Sequence, residues 1–93
     1  MEFEFDPGKA RGNLTKHGIA FADVEPVFMD PQAITNRSDR KTAQGEFEER
    51  YISTGMDALG RIVTVAWTPR NGNVRLISAR RAREEEKAGY EQR

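Results

Sequence analysis

The start of the chain predicts a strand followed by a helix. Phe3 and Phe5 stand between acidic neighbours, which is the period-two pattern of a short, half-buried strand. Asp6 is a good helix N-cap, Pro7 suits the first helical position, and Gly18 ends the segment. We therefore expect a helix of about three turns between Asp6 and Gly18.

A second apolar pattern with helical spacing follows this helix. Its members are Phe21, Val24, Val27 and Phe28. Because Pro26 is tolerated only in the first turn of a helix, we expect Asp23 to be the N-cap. This second helix should be short and end near residues 30–31.

The rest of the chain favours strands. Residues 33–36 are a weak strand candidate, residues 37–46 form a polar connection, and residues 47–54 form a strand. A loop over residues 55–60 leads to residues 61–68, the strongest strand pattern in the chain. These last residues are apolar on both faces, which indicates a central strand.

A hairpin and a helix complete the predicted α+β fold. Asn71 and Gly72 suit a tight turn, because both central positions of a type I′ turn need positive φ. Residues 74–79 return as the partner strand, and residues 80–93 are rich in helix formers. The expected order is a short N-terminal strand, two helices, an antiparallel meander sheet of three to four strands and a C-terminal helix.

The hairpin turn also predicts a register. It pairs Pro69 with Val74, Trp67 with Leu76, and Val65 with Ser78. One face then collects the core residues Val63, Val65, Trp67, Val74 and Leu76. The other face collects Ile62, Thr64, Ala66, Thr68, Arg75, Ile77 and Ala79, with Arg81 just beyond. A one-residue bulge would reverse part of this assignment.

Composition excludes several classes of protein. A chain of 93 residues allows one small domain, which we expect to span residues 1–93. With no cysteine and a single histidine, it offers no thiolate metal site, no disulfide and no histidine cluster, so we expect no metal and no cofactor. The acidic start and the absence of a long apolar run lead us to expect a cytoplasmic protein.

Charge is unevenly distributed along a chain whose formal net charge is zero. The segment 58–83 contains no acidic residue and six arginines, namely Arg61, Arg70, Arg75, Arg80, Arg81 and Arg83. An arginine guanidinium makes bidentate contacts with phosphate, so this segment suggests a polyanionic partner. The alternative is a set of solvated charges at the ends of elements.

Strings of residues along most of the chain resemble one known family. They are Phe3 to Asp6, Lys9, Asn13, Lys16 to Gly18, Phe21, Val27 and Phe28, Asp30 and Pro31, Glu48 to Arg50, Gly60 and Arg61, Arg75, Ile77 to Arg80, Glu86 and Tyr90. The family is BrnT, the toxins of type II toxin–antitoxin systems. The chain departs from its pattern at Phe5, where tryptophan is usual, and at Ala22, where glutamate is frequent.

The resemblance implies a fold and a function. It implies a RelE-like ribonuclease that cleaves messenger RNA to stop translation. It also implies neutralisation by a BrnA-type antitoxin, which binds operator DNA, so that any contact of this chain with the operator would pass through the antitoxin. The alternative is a non-catalytic module that binds RNA or the antitoxin and acts as a co-regulator of its operon.

A metal-free ribonuclease lets the ribose 2′-oxygen attack phosphorus and needs cations on the developing phosphorane. We favour Arg75, because a mid-strand arginine on the face opposite the core can be held rigidly beneath a phosphate. Its structural alternative is a cross-strand pair with Glu48 or Glu49.

Four further residues complete the candidate catalytic set. Arg80 and Arg81 are expected at the start of the last helix, where a bound anion would explain two cations; pairing with Glu84 and Glu85 is the alternative. Lys16 and His17 are also candidates. Both of these equally suit the C-terminal end of the first helix.

Other polar residues receive weaker assignments. Arg61 and Arg70, at strand ends, are expected to be rim contacts to RNA or simply solvated. Glu49, Tyr51 and Tyr90 are possible acid or base groups, with Tyr90 more suited to packing the last helix. The triplet Glu84 to Glu86 is expected to be a solvated face, since adjacent helical residues point about 100° apart.

Overall fold

The computed structural model describes residues 1–92. These residues form seven strands, five of which make up one sheet. The strands are β1 (Phe3–Glu4), β2 (Ile34–Arg37), β3 (Arg40–Lys41), β4 (Phe47–Glu48), β5 (Tyr51–Met56), β6 (Ile62–Arg70) and β7 (Asn73–Arg81). The sheet has the order β1-β7-β6-β5-β2, and β3 and β4 form a separate small hairpin. The predicted antiparallel meander is present, with β1 added in parallel at one edge.

The first helix follows the prediction closely. Helix α1 spans Pro7–His17, and the Asp6 carboxylate accepts a hydrogen bond from the Gly8 N–H. Gly18 ends the helix in the left-handed conformation, with φ of 71°. The cap, the proline and the glycine therefore set the bounds of α1.

The prediction of a second α-helix is wrong, because the segment contains 3₁₀ turns instead. The segment forms two 3₁₀ turns, Phe21–Asp23 and Glu25–Met29, and Val24 rather than Asp23 precedes the second turn. Proline lacks an N–H donor, and the short segment satisfies its backbone with bonds between residues three apart. The apolar spacing still buries Phe21 and Val27.

The hairpin register is confirmed up to a bulge. Asn71 and Gly72 have positive φ, and Trp67 pairs with Leu76 as expected. Beyond this pair, Ile77 has no partner, so Val65 faces Ala79 and the predicted pairing with Ser78 is wrong.

The bulge changes which residues the two sheet faces receive. Ala79 lies fully buried in the core, although the unbulged register assigned it to the polar face. Arg80 pairs with Thr64 and lies on the polar face, at the position that the unbulged register assigned to Ala79, and the expectation that Arg81 lies on this face is wrong.

The last strand continues further than predicted. Arg80 and Arg81 lie in β7, paired with Thr64 and Val63, and helix α2 (Glu84–Glu91) begins only at Glu84. Their expected place at a helix start is therefore wrong, because ladder pairing with β6 outweighs local helix propensity. Likewise, the strand predicted over residues 47–54 is divided between β4 and β5.

The two faces of the sheet have different roles. Helix α1 and the 3₁₀ turns cover the first face, where Ile19, Phe21, Val24, Val27, Val63, Val65, Val74, Leu76 and Ala79 form the core. Helix α2 covers the second face near β2 and β5, where Glu86 contacts Thr64 and Gly89 approaches Ile34. The second face is left open beside α2. Within residues 1–92, no helix is long and apolar enough to cross a membrane.

Candidate functional site

The open part of the second face forms a polar groove, which we call the arginine groove. Its volume is about 330 Å³. It is lined by Ser38, Arg40, Arg50, Ile52, Thr64, Ala66, Ser78, Arg80 and Arg83. Four cationic side chains thus surround one concave surface, which is the arrangement expected for an anionic ligand.

Strand alternation explains the shape of the groove. Every second residue of β6 and β7 points to this face, so Thr64 and Ala66 lie beside Arg80 and Ser78. The floor of the groove is formed by the small side chains of Thr64, Ala66 and Ser78. The long arginine side chains around it rise above this floor and form the walls. Arg40 and Arg50 reach the groove from the segment that contains the β3–β4 hairpin.

Arg80 is held by an acidic residue of the last helix. Its Nη1 and Nη2 donate to Glu86 Oε1 and Oε2 at 2.8 and 3.0 Å. Glu86 also accepts from the Arg83 N–H at 2.7 Å and the Thr64 hydroxyl at 3.1 Å. The hydrogen bonds from Arg80, followed by those from Arg83 and Thr64, lower the pKa of Glu86 to about 2 despite partial desolvation. Glu86 is thus an ionised anchor for Arg80, and the expectation that it belongs to a solvated face is wrong.

The other groove arginines are less compensated. Arg50 Nε donates to Glu48 at 2.7 Å. Arg40 and Arg83 make no ion pair within 4.0 Å with any residue in the range 1–92. These two arginines leave the groove with positive charge available to an anion.

Arg75 shares the second face with the groove but lies toward the hairpin. It is five residues before Arg80 on β7, roughly 15 Å away at the usual rise of a strand. Its Nη1 lies 3.8 Å from Glu4 Oε1, so the alternative pairing with Glu48 or Glu49 is wrong.

The structure does not bring the five predicted catalytic residues together. Lys16 and His17 occupy the last turn of α1, which packs on the first face of the sheet. Arg81 is exposed and pairs with Val63, whose side chain belongs to the core. Only Arg75 and Arg80 share the second face.

Of the two predicted rim arginines, one is structural. Arg61 lies 2.8 Å from Asp57 and 3.5 Å from Asp23, and its side chain is 20% exposed. It therefore ties the loop before β6 to the first 3₁₀ turn. Arg70 ends β6 beside the hairpin turn and is exposed, as predicted.

The possible acid or base groups lie outside the groove lining. The Tyr51 hydroxyl donates to Glu49, which raises the pKa of Tyr51, and the ring stacks on Trp67 at 4.9 Å. Tyr90 is buried and its hydroxyl donates to Asp30 at 2.6 Å, so Tyr90 does pack the last helix. This hydrogen bond, with burial adding to it, raises the pKa of Tyr90.

Sequence reasoning missed Ser38, Arg40 and Arg50 as groove residues. Their hairpin segment carries too little hydrophobic pattern to predict its path. Arg83 was visible only as part of the arginine-rich segment. Among residues 1–92, no three His, Asp or Glu side chains gather closely enough to hold a metal ion.

Known proteins resemble this chain in sequence and fold. Residues 5–86 match the family model described as "Ribonuclease toxin, BrnT, of type II toxin-antitoxin system". The fold is similar to the crystal structure of the Brucella abortus ribonuclease toxin BrnT, at 24% identity and a TM-score of 0.64, covering 90% of this chain and 99% of that one. No curated protein sequence matches significantly. The structural similarity confirms the predicted α+β fold, with which the RelE-like description is consistent.

Proposed function

The chain belongs to the BrnT family of ribonuclease toxins of type II toxin–antitoxin systems, and on this premise we propose that its arginine groove binds and cleaves messenger RNA. The observation that carries the proposal is the convergence of four arginines on one groove, two of them without an acidic partner within residues 1–92. Cleavage of messenger RNA would arrest translation.

The proposed reaction needs no metal ion. The ribose 2′-oxygen attacks the adjacent phosphorus, the bond to the 5′-oxygen breaks, and the products are a 2′,3′-cyclic phosphate and a 5′-hydroxyl. The proton of the 2′-hydroxyl passes to water, and the leaving oxygen takes a proton from water. Arg80 and Arg50 stabilise the charge on the phosphorane, where a single well-placed donor contributes about 10²–10³-fold.

Other cations extend this site along the RNA backbone. Arg40 and Arg83 bind neighbouring phosphates at the groove, and Arg75 binds one toward the hairpin. Arginine suits this role because its planar fork matches phosphate geometry. Lys16, His17 and Arg81 are not part of the proposed site, since α1 and the register of β7 place them elsewhere.

The proposed partner is an antitoxin of the BrnA type. An acidic segment of it would cover the arginine groove, because complementary charge favours that surface. Neutralisation would then be steric and electrostatic, and contact with operator DNA would be made by the antitoxin.

Cleavage of purified RNA in EDTA tests the proposal. We expect the wild-type protein to cleave RNA without added metal and to leave a 2′-O-methyl analogue intact. Arg50→Ala should lower the rate about 10²-fold, as for one transition-state donor. The matched control is Arg11→Ala, an exposed arginine of α1, which should cleave normally.

Two results would contradict the proposal. Activity that is lost in EDTA and restored by Mg²⁺ would show that the reaction depends on a metal ion. Tight RNA binding without any cleavage would favour the alternative, a non-catalytic binding module.

A further inference from the structure

Asn13, in the middle of α1, is buried, and its Oδ1 and both of its Nδ2 hydrogens are hydrogen-bonded. Its Oδ1 accepts from the Ala79 N–H at 2.9 Å, and its Nδ2 donates to the Ala79 carbonyl at 2.9 Å. The second Nδ2 hydrogen reaches the Ile19 carbonyl at 2.8 Å. One side-chain amide therefore joins α1, the segment after it and β7.

The position of this amide is unusual because β7 has no neighbouring strand on its outer side at Ala79. On its outer side, β7 is paired with β1 only at Val74 and Arg75. Further along, Ala79 has β6 on one side and Asn13 on the other. The side chain of Asn13 thus bonds to both backbone groups of Ala79, as a residue of an adjacent strand would.

The bond to Ala79 lies just beyond the bulge at Ile77. Because side chains alternate along a strand, one extra residue exchanges the two faces for everything that follows. With the bulge, Ala79 enters the core and Arg80 enters the arginine groove. Without it, Ala79 would lie opposite Thr64, and Arg81, opposite Ile62, would be the arginine on the second face.

We propose that Asn13 is a positioning residue, which locks the bulged register of β7 and thereby selects Arg80 rather than Arg81 for the face of the sheet that carries the groove. The proposal rests on the proposed function, because it assumes that the groove binds RNA. Asn13 acts from the first face of the sheet and has no contact with the ligand itself.

An exchange of arginine dependence tests this role. In the wild-type background, Arg80→Ala should weaken binding of a non-cleavable 2′-O-methyl oligonucleotide about 10–100-fold, the value for a hydrogen bond to a charged group, while Arg81→Ala changes it little. In an Asn13→Ala background, binding should become sensitive to Arg81→Ala and lose its strong dependence on Arg80. General destabilisation would not move the dependence from one arginine to the other.

Ser53→Ala is the matched control for lost buried hydrogen bonds. Ser53 is buried on the first face and bonds to Thr35 and Trp67, away from Ala79. It should lower the melting temperature and leave the dependence on Arg80 unchanged. The same exchange of dependence in Ser53→Ala would overturn the proposal.

Hydrogen exchange of the Ala79 amide gives a second test, which needs no variant. Slow exchange of this amide in the full-length protein would support the bond to Asn13, whereas exchange as fast as an open strand edge would overturn the proposal. If Arg80→Ala leaves wild-type binding unchanged, the proposed function fails. If Arg80 matters equally with and without Asn13, only the role of Asn13 fails.

Discussion

Arg80 and Glu86 form a bidentate ion pair between strand β7 and helix α2, with N–O distances of 2.8 and 3.0 Å. The pair joins strand β7, at the wall of the arginine groove, to helix α2, which borders the groove. Arg80 is thus oriented before any ligand arrives, which reduces the entropy that binding would cost.

Replacing Glu86 by glutamine should lower both activity and stability. Glu86→Gln keeps the shape of the side chain but removes the charge that holds Arg80. We expect cleavage to fall about tenfold or more and the free energy of unfolding to fall by about 1–3 kcal/mol, the range for hydrogen bonds to charged groups. Steady-state cleavage and denaturant unfolding measure the two effects. Glu84→Gln, an exposed neighbour, is the control, and an equal loss there would contradict the role of Glu86.

Acid should destabilise the protein through the same residue. The bonds from Arg80, Arg83 and Thr64 hold the pKa of Glu86 at about 2, below its usual 4.5. Between these two values the unfolded chain binds the proton first, so stability is full above pH 4.5 and is lost as pH falls toward 2. At about 1.4 kcal/mol per pKa unit the upper limit of this loss is about 3.5 kcal/mol, and solvent screening of the partly exposed pair makes the actual loss smaller. Unfolding measured across this range should show a flatter profile for Glu86→Gln, and parallel profiles would refute the assignment.

Arg75→Ala should abolish toxicity while leaving the fold intact. Arg75 faces the open side of the sheet, and its 3.8 Å pair with Glu4 is loose. We expect a rate loss of about 10²–10³-fold and a stability change of about 0.5 kcal/mol or less. Arg70→Ala at the hairpin should change little. Growth after induction, RNA cleavage and melting temperature are the measurements.

Two other outcomes for Arg75→Ala would contradict this prediction. An early-melting Arg75→Ala variant would show that the pair with Glu4 is structural. A stable and fully toxic variant would remove Arg75 from the site and leave the groove arginines alone.

RNA and the antitoxin should compete for the protein. Both are expected to use the arginine groove, so a 2′-O-methyl oligonucleotide should be displaced by the antitoxin, and Arg40→Ala together with Arg83→Ala should weaken both complexes. Fluorescence anisotropy of the labelled oligonucleotide measures the displacement. Simultaneous tight binding of the two ligands would rule out a shared surface.

The sequence predicted correctly the helix α1 and the hairpin turn, because each is determined by residues that are close together in the chain. The Asp6 cap, the Gly18 stop and the turn at Asn71 and Gly72 each depend on neighbouring residues, and the structure confirms them. The bulge at Ile77 lies beside the hydrogen bonds between Ala79 and Asn13, which is far away in sequence, and no local pattern indicates it. The register could therefore be predicted only as far as Trp67 and Leu76.

The candidate site was predicted only in part for the same reason. Arg80 was identified from the arginine-rich segment, but its expected place on a helix was wrong because pairing with Thr64 continues the strand. Arg40 lies in the β3–β4 hairpin and Arg50 follows it, in a segment whose sequence has too little hydrophobic pattern to predict its path. The arginine-rich segment thus suggested an anionic ligand, whereas the position of Arg80 was determined by strand pairing between residues far apart in the chain.

The parallel pairing of β1 with β7 has a consequence for synthesis of the protein. Phe3 can reach Val74 only after nearly four fifths of the chain has been made, and Arg80 and Glu86 follow later still. A nascent chain halted before these residues carries most of the future core but no complete groove. On a translating ribosome the proposed RNA-binding surface is therefore the last to be completed, so we expect a truncated product to be harmless to the cell that makes it.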